Sequence, residues 1–255
     1  MNGSIDGSIQ ILLPESFAIN SHSFISGDLL LPGTPTVQLN GHPTLGGIID
    51  SFGSATPTNY TVTLNSTAIV RYIVRHVDPL VMPVVAAPDT PLGLHGTIVN
   101  SPHMIISDFT ALRNITLNGN VGLFAIPAGA YDSLTANGGS GFIFGTAGAT
   151  EPSVYHLQHL TINGNATLQI VGPVIIRLAN GINLNGNAGA AGNPDWLKFE
   201  IANGDLTLNG NVSLSGHVVA PNGTVTLNGN AVLLGTVTAD HLTLNGNSLL
   251  DQPAQ

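Results

Sequence analysis

The sequence predicts an all-β chain wound as a parallel β-solenoid (β-helix). Three observations carry the prediction: a recurring Asn-Gly-Asn triplet, an apolar-Thr-apolar-Asn alternation leading into its copies, and very little charge. The triplet begins at Asn118, Asn163, Asn185, Asn209, Asn228 and Asn245, within ITLNGN, LTINGN, INLNGN, LTLNGN, VTLNGN and LTLNGN. Successive copies are 45, 22, 24, 19 and 17 residues apart. Self-similarity at such a period marks coils stacked in one direction. The first interval is about twice the second, so one further coil with a degenerate triplet is expected around Gly138 to Phe144.

Alternation of period two describes a half-buried strand. It turns Leu206 and Leu208, Val225 and Leu227, and Leu242 and Leu244 inward, and it turns Thr116, Thr161, Thr207, Thr226 and Thr243 outward as a column. The glycine after each first asparagine (Gly119, Gly164, Gly186, Gly210, Gly229 and Gly246) is expected to take the positive φ of a coil corner. Stacked corners then place Asn118, Asn163, Asn185, Asn209, Asn228 and Asn245 in an amide ladder. A coil of 17–24 residues has room for two or three short strands. At about 4.8 Å per coil, roughly nine to eleven coils would form a single elongated domain of about 45 to 55 Å, with irregular loops.

Regularity is uneven along the chain. Residues 1–73 read as an N-terminal segment with worn coils, QLNGHPTLGG and VTLNSTAIV, so the solenoid is expected to begin before Asn40. Residues 74–101 form a Pro-rich excursion, where Pro79, Pro83, Pro88 and Pro91 argue against central strands. Residues 102–255 carry the regular repeat, interrupted by a Gly/Ala-rich stretch, Pro127 to Glu151, that reads as a surface loop. The last repeat, LTLNGNSLLDQPAQ, offers little cover for a terminal coil, and SIQILLPESFAI near the start is apolar without a repeat. Termini that stack on, or lend a strand to, another copy are the expectation.

Composition excludes several classes of function. Only 7% of residues are charged, and five basic residues stand against fourteen acidic ones for a net charge of −9. No basic stripe exists to neutralise phosphates, so nucleic acid is not an expected partner. The longest apolar runs, around Ile9 to Leu13 and Val81 to Ala87, fall far short of a membrane span. Absence of Cys removes disulfides and thiolate metal sites together. The start, MNGSIDGSIQ, has no basic n-region or apolar h-region, while the nearly lysine-free, Asn/Gly/Thr-rich composition favours an extracellular or cell-surface location.

The C-terminal half, from IVGPVIIRLANGINLNGNA through WLKFEIANGDLTLNGN to LTLNGNSLLD, resembles an uncharacterised β-solenoid repeat domain of bacterial surface and pilus-associated proteins, with VVAPNGTVTLNGNAVLLGTV as its most specific part. HVDPLVMPVV is compatible with the same domain. The resemblance implies a solenoid in or outside the cell envelope and brings no catalytic residues with it. Bactofilins, cytoskeletal polymers, are a more distant analogy.

Chemistry-bearing residues are sparse. His156 and His159 are the best metal-like pair, three apart as on a helical turn, without a third ligand nearby. His217 and His241 read as surface residues. Asp195, Glu200 and Asp205 are the nearest approach to a carboxylate cluster for a polysaccharide-active β-helix enzyme, but their five-residue spacing fits solvation better. No nucleophile elbow or phosphate loop occurs, and no catalytic residue, cofactor or metal is expected. The expected function is structural: a self-assembling, head-to-tail subunit of an extracellular filament or surface layer. The alternative is a monomeric module that binds ice or a cell-wall glycan through its outward Thr/Asn ladder.

Overall fold

The computed structural model describes residues 1–253. It is a β-solenoid: the strands pair in parallel and in register with their counterparts one coil away, and one 3-10 turn, Pro194–Trp196, is the only helical element among the described residues. Two compact units are distinguished, one formed by Met1–Met82 together with the chain end from Leu244, the other by Pro83–Thr243.

In the second unit a coil has three sides. Val174–Leu178, Ile182–Leu184 and Asn187–Gly189 stack on Leu197–Ile201, Leu206–Leu208 and Ser213–Ser215. Alternation sends every second side chain into the axis, where Leu178, Leu184, Ile201, Leu206 and Leu208 are sealed from solvent. Coil length follows from the register: Leu117↔Ala136 spans 19 residues, Ala136↔Ile162 26, Ile162↔Leu184 22, Leu184↔Leu208 24 and Leu208↔Leu227 19. The 26-residue coil exceeds the expected range because it carries the Thr146–Pro152 loop, which contributes no strand.

The stretch Pro127 to Glu151 is therefore no loop insert. It holds the Gly129–Ala136 and Ser140–Phe144 strands of a complete coil, with Tyr131, Leu134, Phe142 and Phe144 buried. Phe144 stacks on Tyr155 at 3.9 Å and 6°, and the Tyr155 hydroxyl donates to the Ile126 carbonyl at 2.8 Å. Small residues had hidden the alternation. The Pro-rich excursion is shorter than expected at both ends: Val74 and Arg75 close the Ile69–Arg75 strand, and His95–Val99 is already a strand. Only the part between, which contains all four prolines, has no strand pairing.

In the first unit, stacking order departs from chain order. On one side the order is Leu249–Asp251, Ser4–Asp6, Phe24–Leu30, Ile69–Arg75, with Thr44–Leu45 and Ile48–Asp50 beyond. On another it is Phe17–Ile19, Thr61–Asn65, Thr36–Asn40. The coil of residues 61–75 thus lies between those of residues 17–30 and 36–50. The expectation of a bare C-terminal coil is corrected: Ser4↔Leu249, Ile5↔Leu250 and Asp6↔Asp251 pair directly, and the apolar segment that follows is part of the stack, with Ile9–Gln10 on Phe24–Leu30 and Phe17–Ile19 on Thr61–Asn65. Strands one period apart in sequence need not be neighbours in space, which is why the sequence did not reveal this.

Leu64 is wholly buried between Ile19 and Leu39, its register partners. Leu64→Ala is expected to lower stability by about 3 kcal/mol in urea unfolding, and Leu39→Ala at the half-open neighbouring position by about 1 kcal/mol or less.

Candidate functional site

The corner asparagines stack as amides. In the second unit Asn163 Nδ2 donates to Asn137 Oδ1 at 2.9 Å, Asn209 to Asn185 at 3.2 Å and Asn228 to Asn209 at 3.1 Å, while Asn118 donates to Asn100. A second row forms beside it, Asn230 to Asn211 at 2.8 Å. The first unit has its own ladder: Asn40 to Asn65 at 3.0 Å, Asn65 to Asn20 at 3.4 Å and Asn20 to Asn2 at 2.8 Å. Asn245, with Gly246, occupies the equivalent corner near the chain end. Asn137, Asn100, Asn65, Asn20 and Asn2 lie outside any Asn-Gly-Asn triplet, and the register reveals them. Asn137-Gly138-Gly139 is the degenerate triplet of the extra coil.

The corners use two backbone solutions, which corrects the single one expected. Gly210, Gly229 and Gly246 take φ near +75° (76°, 73° and 73°), whereas at Gly119 and Gly164 the left-handed residue is the following Asn120 (65°) or Asn165 (59°). Asn tolerates that region better than other side chains. Gly186 is not left-handed, but a Cβ there would meet the Ala166 carbonyl oxygen at 2.1 Å.

Thr116 and Thr161 are in register through Thr135, and Thr207 pairs with Thr226, all half-buried and outward. Asn183 interrupts the column between Thr161 and Thr207, and Ile98 precedes Thr116. Thr243 lies outward on the Val237–Leu244 strand. In that strand Leu242 is half-buried rather than fully inward. A polar groove of about 420 Å³ follows the corner, lined by Asn165, Thr167, Asn185, Asn187, Asn209 and Asn211.

His156 and His159 lie on a strand, not a helical turn. His156 Nδ1 accepts from the Asp89 amide at 3.0 Å, tying the Pro-rich segment down, while His159 is exposed. Among the described residues no three His, Asp or Glu groups converge to hold a metal ion. The three carboxylates diverge too: Asp205 accepts from the Thr224 amide at 2.7 Å, Glu200 bridges Arg177 and Lys198, and Asp195 accepts from His217. His217 links three coils, with Nε2 2.8 Å from Asp195 and Nδ1 2.8 Å from the Thr236 hydroxyl. The Thr236 amide also points at Nδ1, at 3.3 Å, which fixes Nδ1 as acceptor and Nε2 as donor. No sequence pattern announces this relay, because its members come from three separate coils.

Charge pairs stand beside the amide ladder. All five basic side chains meet carboxylates: Arg71 with Asp28, Arg75 with Asp50, Arg113 with Asp132, and Arg177 and Lys198 with Glu200. The Arg71 hydrogen bonds hold the Asp28 carboxyl below the usual carboxylate range. At Glu200 burial pushes the pKa up, but hydrogen bonds from Lys198 and Arg177 outweigh it and leave the carboxyl below its ordinary 4.5.

The coil of residues 36–50 is open on one side in the first unit. Thr36–Asn40 is the last strand of its sheet, pairing on one side with Thr61–Asn65. Leu39 is 52% exposed where its register partner Leu64 is 0%, and Ile48 and Ile49 are each 46% exposed, with Phe52 beside them fully exposed. Leu39 and Ile48, in register with the buried Leu64 and Ile73, are core positions left open, and the Thr36–Asn40 strand beside them has a backbone edge unpaired among the described residues.

A carboxyl with a lowered folded-state pKa stabilises the fold above its ordinary value, and that stabilisation is lost as pH falls through the lowered value. Glu200→Gln is accordingly expected to flatten the loss of thermal stability on acidification below about pH 4.5, with little change in shape at neutral pH, as read by melting curves across a pH series. The chain matches no protein-family model, no curated protein and no solved structure.

Proposed function

We propose that the chain is a structural protein, a subunit that stacks coil upon coil with its own copies to build an extracellular filament or surface layer. The observation that carries this reading is the half-finished coil of residues 36–50, where Leu39, Ile48 and Ile49 are exposed at positions that another coil would cover. A free parallel edge beside an apolar face is a template for further strands, and soluble solenoids ordinarily blunt it with charge, proline or a cap. The strand Thr36–Asn40 contains neither charge nor proline. Composition supports the same reading: with basic groups engaged in intramolecular pairs and carboxylates dispersed, the surface offers little for nucleic acid or for acid–base catalysis. The resemblance of the C-terminal repeats to surface and pilus-associated domains supports a place outside the cell.

The polar groove along Asn185 and Asn209 favours a second reading, a monomeric module that holds a cell-wall glycan by its hydroxyls. Purified protein separates the two. Electron microscopy and light scattering are expected to show concentration-dependent linear particles, and Leu39→Lys is expected to abolish them without altering the circular dichroism spectrum. A monodisperse monomer at high concentration that is retained by insoluble polysaccharide would replace the first reading with the second.

A further inference from the structure

The amide ladders have a direction, and it specifies how two copies meet. In the second unit the corner asparagines that bond one another donate Nδ2 toward the coil earlier in the chain: Asn228 to Asn209, Asn209 to Asn185, Asn163 to Asn137, Asn118 to Asn100. Asn137, Asn180 and Asn222 donate the same way, to the carbonyls of Leu117, Gln158 and Ala202. The row ends at Asn100, whose oxygen is taken by Asn118 and whose Nδ2 meets no acceptor among the described residues. The first unit runs from Asn40 to Asn65, Asn20 and Asn2, so its row begins at Asn40. There Nδ2 is used by Asn65, and the carbonyl oxygen, touched only by Gln38 of the same strand at 3.3 Å, keeps acceptor capacity. One open edge therefore ends in an acceptor and the other in a donor.

Both amides terminate equivalent strands. Thr36–Asn40 (TVQLN) and His95–Val99 followed by Asn100 (HGTIVN) each lead into an asparagine corner, and each is the last strand of its sheet. Alignment at the asparagines sets Leu39 against Val99, Gln38 against Ile98 and Val37 against Thr97, matching inward with inward and outward with outward positions.

Resting on the assembly reading above, we infer that the joint is heterologous: the Thr36–Asn40 edge of one copy pairs in parallel with the His95–Asn100 edge of the next, and Asn100 Nδ2 donates to Asn40 Oδ1 across it. Pairing of like edges would oppose carbonyl to carbonyl or amine to amine. A heterologous contact repeats without limit unless its rotation closes a ring.

The chain contains no cysteine, so disulfide trapping has a clean background. Gln38 and Ile98 are exposed and outward, and the register brings them together across the joint. Oxidised Gln38→Cys/Ile98→Cys protein is expected to give dimers, trimers and higher species on non-reducing gels. Each single variant alone should give none, and the two mixed should give dimers. Asn100→Asp keeps an oxygen for Asn118 but loses the outward donor, so assembly should require a roughly tenfold higher concentration at unchanged melting temperature. Dimers from Gln38→Cys alone, or wild-type particles by electron microscopy with no cross-link in any combination, would overturn this joint while leaving coil stacking intact. Absence of particles from the wild-type protein would overturn both.

Discussion

Parallel, in-register pairing between successive coils is the constraint on which the rest depends. Once Leu206 lies over Ile182 and under Val225, every residue type that recurs at one place in the coil becomes a column. Apolar columns fill the axis, and their burial is the main stabilising contribution. Polar columns must satisfy one another, because a stacked amide has its like above and below. Asparagine suits this arrangement: it donates in one direction and accepts in the other, and its short side chain tolerates the left-handed corner, as at Asn120 and Asn165.

Columns of ionised groups are less forgiving, since like charges one coil apart repel. The few charges are accordingly set as opposites in adjacent coils, as in Arg113 over Asp132 and Arg177 over Glu200, while most remaining carboxylates are scattered over single positions. Asp6 opposite Asp251 is an exception, eased by the Ser26 hydroxyl donating to Asp6 at 2.5 Å. Low charge content is thus a consequence of stacking.

The sequence was most legible where local rules act. Period two placed Leu206, Leu208, Val225, Leu227 and Leu244 in the core, and the triplets placed the corners. Composition misled where small residues took inward positions, as at Ala136, so a full coil from Gly129 read as a loop. The corner backbone was half legible: most Asn-Gly-Asn triplets hold a left-handed residue, at the glycine as in Gly210 or at the second asparagine as in Asn120, but the triplet at Asn185 turns without one. Least legible was anything joining distant segments. The Asp195–His217–Thr236 relay, the Asn40–Asn65–Asn20–Asn2 row and the pairing of Ser4 with Leu249 depend on which coil lies beside which.

That last dependence bears most on function. Reading coils in chain order makes the termini the ends of the stack and hence the natural joints. In the first unit the order is different: Ser4–Asp6 and Leu249–Asp251 pair with each other, and the open coil is formed by residues 36–50. A joint at the termini would compete with the pairing of Ser4–Asp6 and Leu249–Asp251 and would have to break it first, whereas a joint at residues 36–50 breaks nothing and covers Leu39, Ile48 and Ile49. The Thr36–Asn40 edge is held in place by the folded strand Thr61–Asn65 beneath it, so the proposed joint requires no terminal segment to order on binding.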